Sequence, residues 1–258
     1  MASRAIGWAV GVAVAALGLQ AGSAGAVELH VLAAGAVEAT VHDMVGQFEK
    51  QTGDTVTLTY GAVGALRDKI YAGVPADVTI VTPVILEQLD AKGLVRLETR
   101  TDLGRVGGGI AVRRGAPEPA VGTEEDLRRA LLAADRVYYA DPATATAGAY
   151  FMKVADRLGV GDQVRKKGRT APGGKEAMRL MAKDAGTAIG LTQISEIVAV
   201  PEVKLIGHYP GALETSTLYA GVVLNTTGHP EAAQAFLKFL LSDPVQARFR
   251  KGGFDPAH

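Results

Sequence analysis

The sequence predicts an α/β protein built as two units, each a mainly parallel sheet flanked by helices, with two strands crossing between them. Three observations predict this. Apolar, β-rich runs alternate with amphipathic helical runs through residues 28–93. The rhythm breaks at "GGGIAVRRG" (residues 107–115) and then resumes as a second α/β series. A long apolar run, "TSTLYAGVVLN" (residues 215–225), precedes two closing helical segments.

Each element has a local reason. "ELHVLA" (28–33) is the first strand, and the next run places Val37, Val41, Met44, Val45 and Phe48 at helical spacing, with Gly53 as its stop. "TVTLTY" (55–60) alternates as a strand, "VGALRDKIYAG" (63–73) is a short helix and "ADVTIVT" (76–82) is a buried strand. "PVILEQLDAKG" (83–93) is a helix opened by proline. In the second series, "TEEDLRRALLA" (123–133) is a helix capped by Thr123, with Asp126 three residues on. Strand "RVYYADP" (136–142) and helix "TAGAYFMKVADRLG" (146–159) follow. Then come helix 173–186, strand "AIGL" (188–191), helix "TQISEIVA" (192–199) and strand "VKLIGHY" (203–209). The glycine-led run near Ile110 and the apolar run near Gly221 are the crossovers. The expected division is residues 27–107 plus 225–258 in the first lobe and 108–224, crossover strands included, in the second.

The first 26 residues stand apart. Arg4 is the sole charge before Glu28, residues 6–19 are apolar, and Ala24-Gly25-Ala26 fits a small-x-small cleavage site. This is the pattern of a secretory signal peptide, and the apolar run is shorter than the about 20 residues a membrane span needs. A periplasmic location is expected.

Composition narrows the chemistry. Lys plus Arg and Asp plus Glu number 27 each, and the cations are scattered, so no nucleic-acid surface is expected. There is no cysteine, which removes thiol catalysis and thiolate metal sites. His30, His42, His208, His229 and His258 show no metal-ligand spacing, no Gly-x-Ser-x-Gly elbow occurs, and no acid–base pair stands out. No enzyme activity, metal or cofactor is expected.

"TAPGGKEAMRLM" (170–181) is close to a phosphate loop but is not one. Arg169 stands where the first glycine belongs, and Glu176 follows Lys175 where Ser or Thr belongs. What remains is a helix start with Lys175 on it. A cation there opposes the helix dipole and is better tolerated beside an anion. Small residues also open helices at "AAGAVEA" (33–39), "TYGAVGAL" (59–66) and "ADPATATAGAY" (140–150). In a parallel sheet these turns all lie at the carboxyl edge, where open α/β proteins bind ligands.

Residues 31–81, with a strand ending in "AA", a "FEKQTG" helix end and "LRDKIYAGVPADV", resemble the periplasmic molybdate-binding family of ABC-importer proteins. "ADPATATAGAY", "AIGLTQISE" and the closing "AFLKFLLSDPVQARFRKGGF" carry the resemblance through nearly the whole chain after residue 26. It implies the two-lobed type II periplasmic binding protein fold, a monomer, one small anion in the cleft and an ABC permease as partner. Its oxyanion ligands fall on Ala36, on Val63 or Ala62, on Gln193 in place of a tyrosine, and on backbone at Ala147 and Lys175. Thr146 lies beside them, and Thr144, Arg67 and Thr82 are further contributors. Both family hydroxyls and the phenol are therefore absent. Each missing hydrogen bond to a charged oxygen costs about 1.5–3 kcal/mol. The substitutions favour an organic carboxylate, paired by Lys175 and served by Gln193, over molybdate. Molybdate or tungstate binding through backbone N–H groups, a sensor module and an enzyme in the same fold are the alternatives.

Overall fold

The computed structural model describes residues 25–257; the expected signal peptide, residues 1–26, lies almost wholly outside them. The first series is β1 (Glu28–Ala34), α1 (Glu38–Thr52), β2 (Thr55–Gly61), α2 (Val63–Tyr71), β3 (Val78–Val81), α3 (Pro83–Asp90) and β4 (Val95–Arg113). The second is α4 (Glu124–Ala133), β5 (Arg136–Ala140), α5 (Thr146–Arg157), α6 (Gly161–Lys167), β6 (Gly168–Ala171), α7 (Gly174–Ala182), β7 (Ala188–Gln193), α8 (Ile194–Val198) and β8 (Val203–His208). The chain closes with β9 (Ser216–Leu224), α9 (Pro230–Leu240), α10 (Asp243–Lys251) and β10 (Phe254–Asp255).

The strands form one path in the order β2-β1-β3-β9-β4-β7-β5-β6, with β8 and β10 also on β4. β2, β1 and β3 are parallel, as are β6, β5 and β7. Between these parallel halves run β9 and β4, antiparallel to their neighbours. β4 is 19 residues long and serves both halves: residues 95–107 pair with β9, and 108–113 with β7 and β8. It starts well before the glycine run that announces it in the sequence, because "VRLETRTDLGRV" carries too many charges to read as a strand.

Three buried clusters follow from this layout, one in the first lobe and two in the second, the last of them around Tyr138, Met178 and Met181. The first joins β1, β3 and β9 to α1, α3, α9 and α10, with Phe48 edge-on to Phe236 at 5.2 Å between ring centroids. β9 belongs to it through Tyr219, Ala220, Val222 and Val223, although the sequence groups that strand with the second lobe. Arg248 on α10 pairs with Asp43 on α1 at 2.7 Å and fastens the chain end to the first lobe. The second lobe buries Val137, Tyr139, Phe151, Val154 and Leu191, with the Tyr139 and Phe151 rings at 5.0 Å.

Local signals act as their chemistry dictates. Gly53 ends α1 at φ 82°, and its N–H donates to the Glu49 carbonyl. The Thr123 hydroxyl accepts from the Asp126 N–H at 3.1 Å and donates to the Asp126 carboxylate at 2.7 Å. Gly108 and Gly109 are glycines for closeness. A Cβ at 108 would lie 2.6 Å from the Tyr209 ring, and one at 109 would lie 2.8 Å from Ile197 and Leu205. Three elements escaped the sequence reading, one of them the two-residue β10 on β4. "GDQVRKK" and "GRTA" are short, charged or exposed, and form α6 and the edge strand β6.

Candidate functional site

The carboxyl edges of both parallel halves face a cavity of about 650 Å³. Four helix starts surround it, those after Ala34, Ala62, Ala145 and Gly173. None has a side-chain cap. Their first N–H groups therefore lack the oxygen of an N-cap side chain and bear partial positive charge, although Gly64 N–H on α2 already donates to the Thr144 carbonyl and Gly174 N–H on α7 to Glu196. The missing cap is a property of the sequence. The convergence of the four is a property of the fold.

Ala36, Ala62 and Val63 line the cavity from the first lobe. Thr146, Ala147, Lys175 and Gln193 line it from the second, so all seven sequence-predicted residues surround one space. Thr144 joins them, and its carbonyl accepts from the Gly64 N–H at 3.0 Å, a backbone bond across the cleft. Arg67 and Thr82 do not line it; Arg67 turns to Asp68 and Gln88 on the outer side of α2.

Two of the seven differ in detail from expectation. Gln193 is only 2% exposed and its amide is already engaged. It donates to the Gly107 carbonyl at 3.0 Å and accepts from the Thr217 hydroxyl at 3.1 Å. It holds β7 to the crossover strands rather than offering an amide to a ligand. Lys175 does have an anion beside it, one from the chain itself. Its Nζ donates to Glu38 Oε1 at 2.8 Å, tying the start of α7 to the start of α1. The two side chains are 18% and 27% exposed, so the pair sits in the cleft wall.

Glu196 is a second acid that sequence reasoning passed over. It lies 7% exposed at the inner end of the cavity. Oε1 accepts from the Gly174 N–H at 3.1 Å, and Oε2 is bonded to the Thr192 hydroxyl at 2.5 Å. Burial pushes this carboxyl above the usual glutamate range, against the pull of the Thr192 hydroxyl and of the Gln193, Gly174 and Lys175 N–H groups. Its packing leaves no room at Gly174, where a Cβ would fall 2.1 Å from Glu196 Oε2. Tyr60 also lines the cavity; burial and the charges of Glu38 and Asp43 push its phenol upward, and its buried hydroxyl has no hydrogen-bond partner. Among the described residues no cluster of His, Asp and Glu has metal-site geometry, and no helix is long and apolar enough to cross a membrane.

Residues 29–255 match the family model of bacterial extracellular solute-binding proteins. The chain belongs to that family. An aconitate isomerase from Pseudomonas sp. is 30% identical to this solute-binding protein over 236 residues, covering 88% of this chain and 87% of the relative. The periplasmic molybdate-binding protein of Azotobacter vinelandii superposes with a TM-score of 0.73 at 21% identity, covering 88% of this chain and 98% of that one. The sulfate-binding protein SubI of Mycobacterium tuberculosis H37Rv gives 0.72 at 17% identity, covering 89% and 87%. The resemblance to molybdate-binding proteins thus holds for family and fold, and the type II two-lobed architecture is the one these neighbours share.

Proposed function

We propose that this solute-binding protein captures a small organic polycarboxylate, of the aconitate class, between its lobes in the periplasm and presents it to an ABC permease. The observation that carries this reading is the wall of the cleft. The helix starts after Ala34 and Ala145, and the Lys175 ammonium once it leaves Glu38, supply charge at separate points, while Ala36, Ala62 and Val63 supply methyl groups between them. A compact tetrahedral oxyanion needs a donor for every oxygen, and methyl groups leave those oxygens unmet. A polycarboxylate has carbon between its charges. A cavity of about 650 Å³ also falls in the ordinary range for small-molecule sites.

A second reading is that the protein isomerises this ligand instead of delivering it. The relative named aconitate isomerase, similar over most of both chains, favours it, as does the charged pair in the cleft wall. Both readings share the ligand class. A thermal-shift panel of molybdate, tungstate, sulfate, phosphate, citrate, propane-1,2,3-tricarboxylate and trans-aconitate tests that class. A specific ligand at 100 times its Kd adds about 2.7 kcal/mol of stability. Shifts are expected with the tricarboxylates and not with the oxyanions; a shift with molybdate or tungstate alone would overturn the reading. NMR of the recovered ligand separates carriage from conversion.

A further inference from the structure

Resting on the reading that the cleft converts an aconitate-class ligand, we propose that Glu38 is the base that moves the substrate proton and that Lys175 is the cation the substrate draws away from it. A carboxylate in the wall of a polyanion site repels the ligand, so Glu38 weakens the binding that its neighbours favour. Its place is nonetheless well defined. Glu38 opens α1, Lys175 stands on the first turn of α7, and their side chains meet across the cleft at 2.8 Å from positions 137 residues apart. Both are mostly shielded from solvent, and both line the cavity.

The chemistry of the ligand gives this acid a task. Aconitate is a propene tricarboxylate. One of its carbons is a methylene flanked by a carboxylate and by the double bond. Removing a proton from that methylene leaves an electron pair delocalised over the three-carbon unit and its carboxylates. Returning the proton to the opposite terminal carbon moves the double bond, and the new double bond takes the geometry in which the substrate is held. One C–H bond breaks and one forms, with no oxidant, reductant or water consumed. The chain has no cysteine to add to the double bond and free it by rotation, so a carboxylate shuttling one proton is the economical route.

The ion pair sets the timing. An incoming carboxylate is a better partner for the Lys175 ammonium than Glu38 alone, because the uncapped start of α5 across the cavity holds the same ligand by a second carboxylate. When Lys175 turns to the substrate, Glu38 loses its cation and gains an anionic neighbour in a water-poor cleft. Freed from its cation, the Glu38 carboxylate is available to accept the methylene proton. The base is therefore quiet until the substrate is in place.

The test follows the full chain with trans-aconitate in D2O by proton NMR, beside calorimetric binding of trans-aconitate and of propane-1,2,3-tricarboxylate, which has no double bond. The wild type is expected to bind both, and to exchange and isomerise trans-aconitate. Glu38→Gln is expected to bind both at least as tightly and to lose about a hundredfold or more in exchange rate. Glu38→Asp, which keeps the charge but withdraws it by one methylene, should fall between them. Lys175→Met should weaken binding of both ligands about tenfold or more. If the wild type binds neither ligand, the polycarboxylate reading fails and this inference falls with it. If it binds without exchange, the inference fails and the carrier reading stands. If Glu38→Gln exchanges at the wild-type rate, Glu38 is not the base.

Discussion

Glu196 offers the sharpest test of the electrostatics at the inner end of the cleft. Its folded-state pKa lies above the ordinary value of 4.5 because burial disfavours the charge. Below pH 4.5 the group is protonated both folded and unfolded. As pH rises, the unfolded chain releases the proton first, and the folded protein loses stability until its own pKa is passed. The limiting slope is about 1.4 kcal/mol per pH unit. Glu196→Gln mimics the protonated carboxyl: its amide can donate to the Thr192 hydroxyl while its oxygen accepts from the Gly174 N–H. It should be nearly neutral at pH 4.5 and gain on the wild type as pH rises. Glu196→Ala removes both oxygens and strands the Gly174 N–H and its neighbours. At about 1–3 kcal/mol per stranded buried donor, the loss is about 3 kcal/mol or more. For a chain of this size that lowers Tm by roughly 6–12 °C. Urea unfolding of the three proteins at pH 4.5, 5.5, 6.5 and 7.5 decides the matter, since other titrations cancel in the differences. A gap between wild type and Glu196→Gln that does not move with pH would refute the reasoning.

Gly64→Ala places a Cβ 2.8 Å from the Thr144 carbonyl across the cleft, so the lobes cannot meet there. Ligand affinity should drop about tenfold or more while Tm holds or rises, since alanine favours a helix by about 1 kcal/mol; calorimetry and a melt measure the two. Asp77→Ala removes a carboxylate that accepts from the His30 N–H at 2.8 Å and from the Thr227 hydroxyl, joining β1 to the loop after β9. A loss of about 3 kcal/mol in urea unfolding is expected. Gly148→Ala sets a Cβ 2.1 Å from the Ala140 carbonyl and forces α5 off β5, at about 3 kcal/mol or more by the same assay.

The α/β rhythm of the first lobe was legible because each element there has its own punctuation. Gly53 stops α1, Pro83 opens α3, and β3 is an unbroken run of β-branched residues. The second lobe was less legible where burial is incomplete. β6 leaves Arg169 and Thr170 exposed, so nothing in its composition separates it from a loop. The early half of β4 alternates charges because one side of it faces water. The helix starts could be read one by one from their small residues, and a parallel sheet puts them on one edge. The fate of Gln193 could not, because its partners Gly107 and Thr217 arrive from the two crossover strands.

The charge pair of the cleft shows why site chemistry resists a linear reading. Glu38 alone is an ordinary acid in the first turn of a helix, where the dipole favours it. Lys175 alone is a cation at a helix start, where the dipole opposes it. Taken separately, one needs no explanation and the other has none. Brought together at 2.8 Å, each accounts for the other: Lys175 is tolerated at its helix start because an anion stands there, and that anion is Glu38. The same contact carries a consequence for ligands. Any anion that reaches Lys175 must compete with a carboxylate already in place, so it must bring more than one charge or more than one point of attachment. A polycarboxylate meets that condition with carboxylates spread far enough apart to reach Lys175 and the uncapped start of α5 at once.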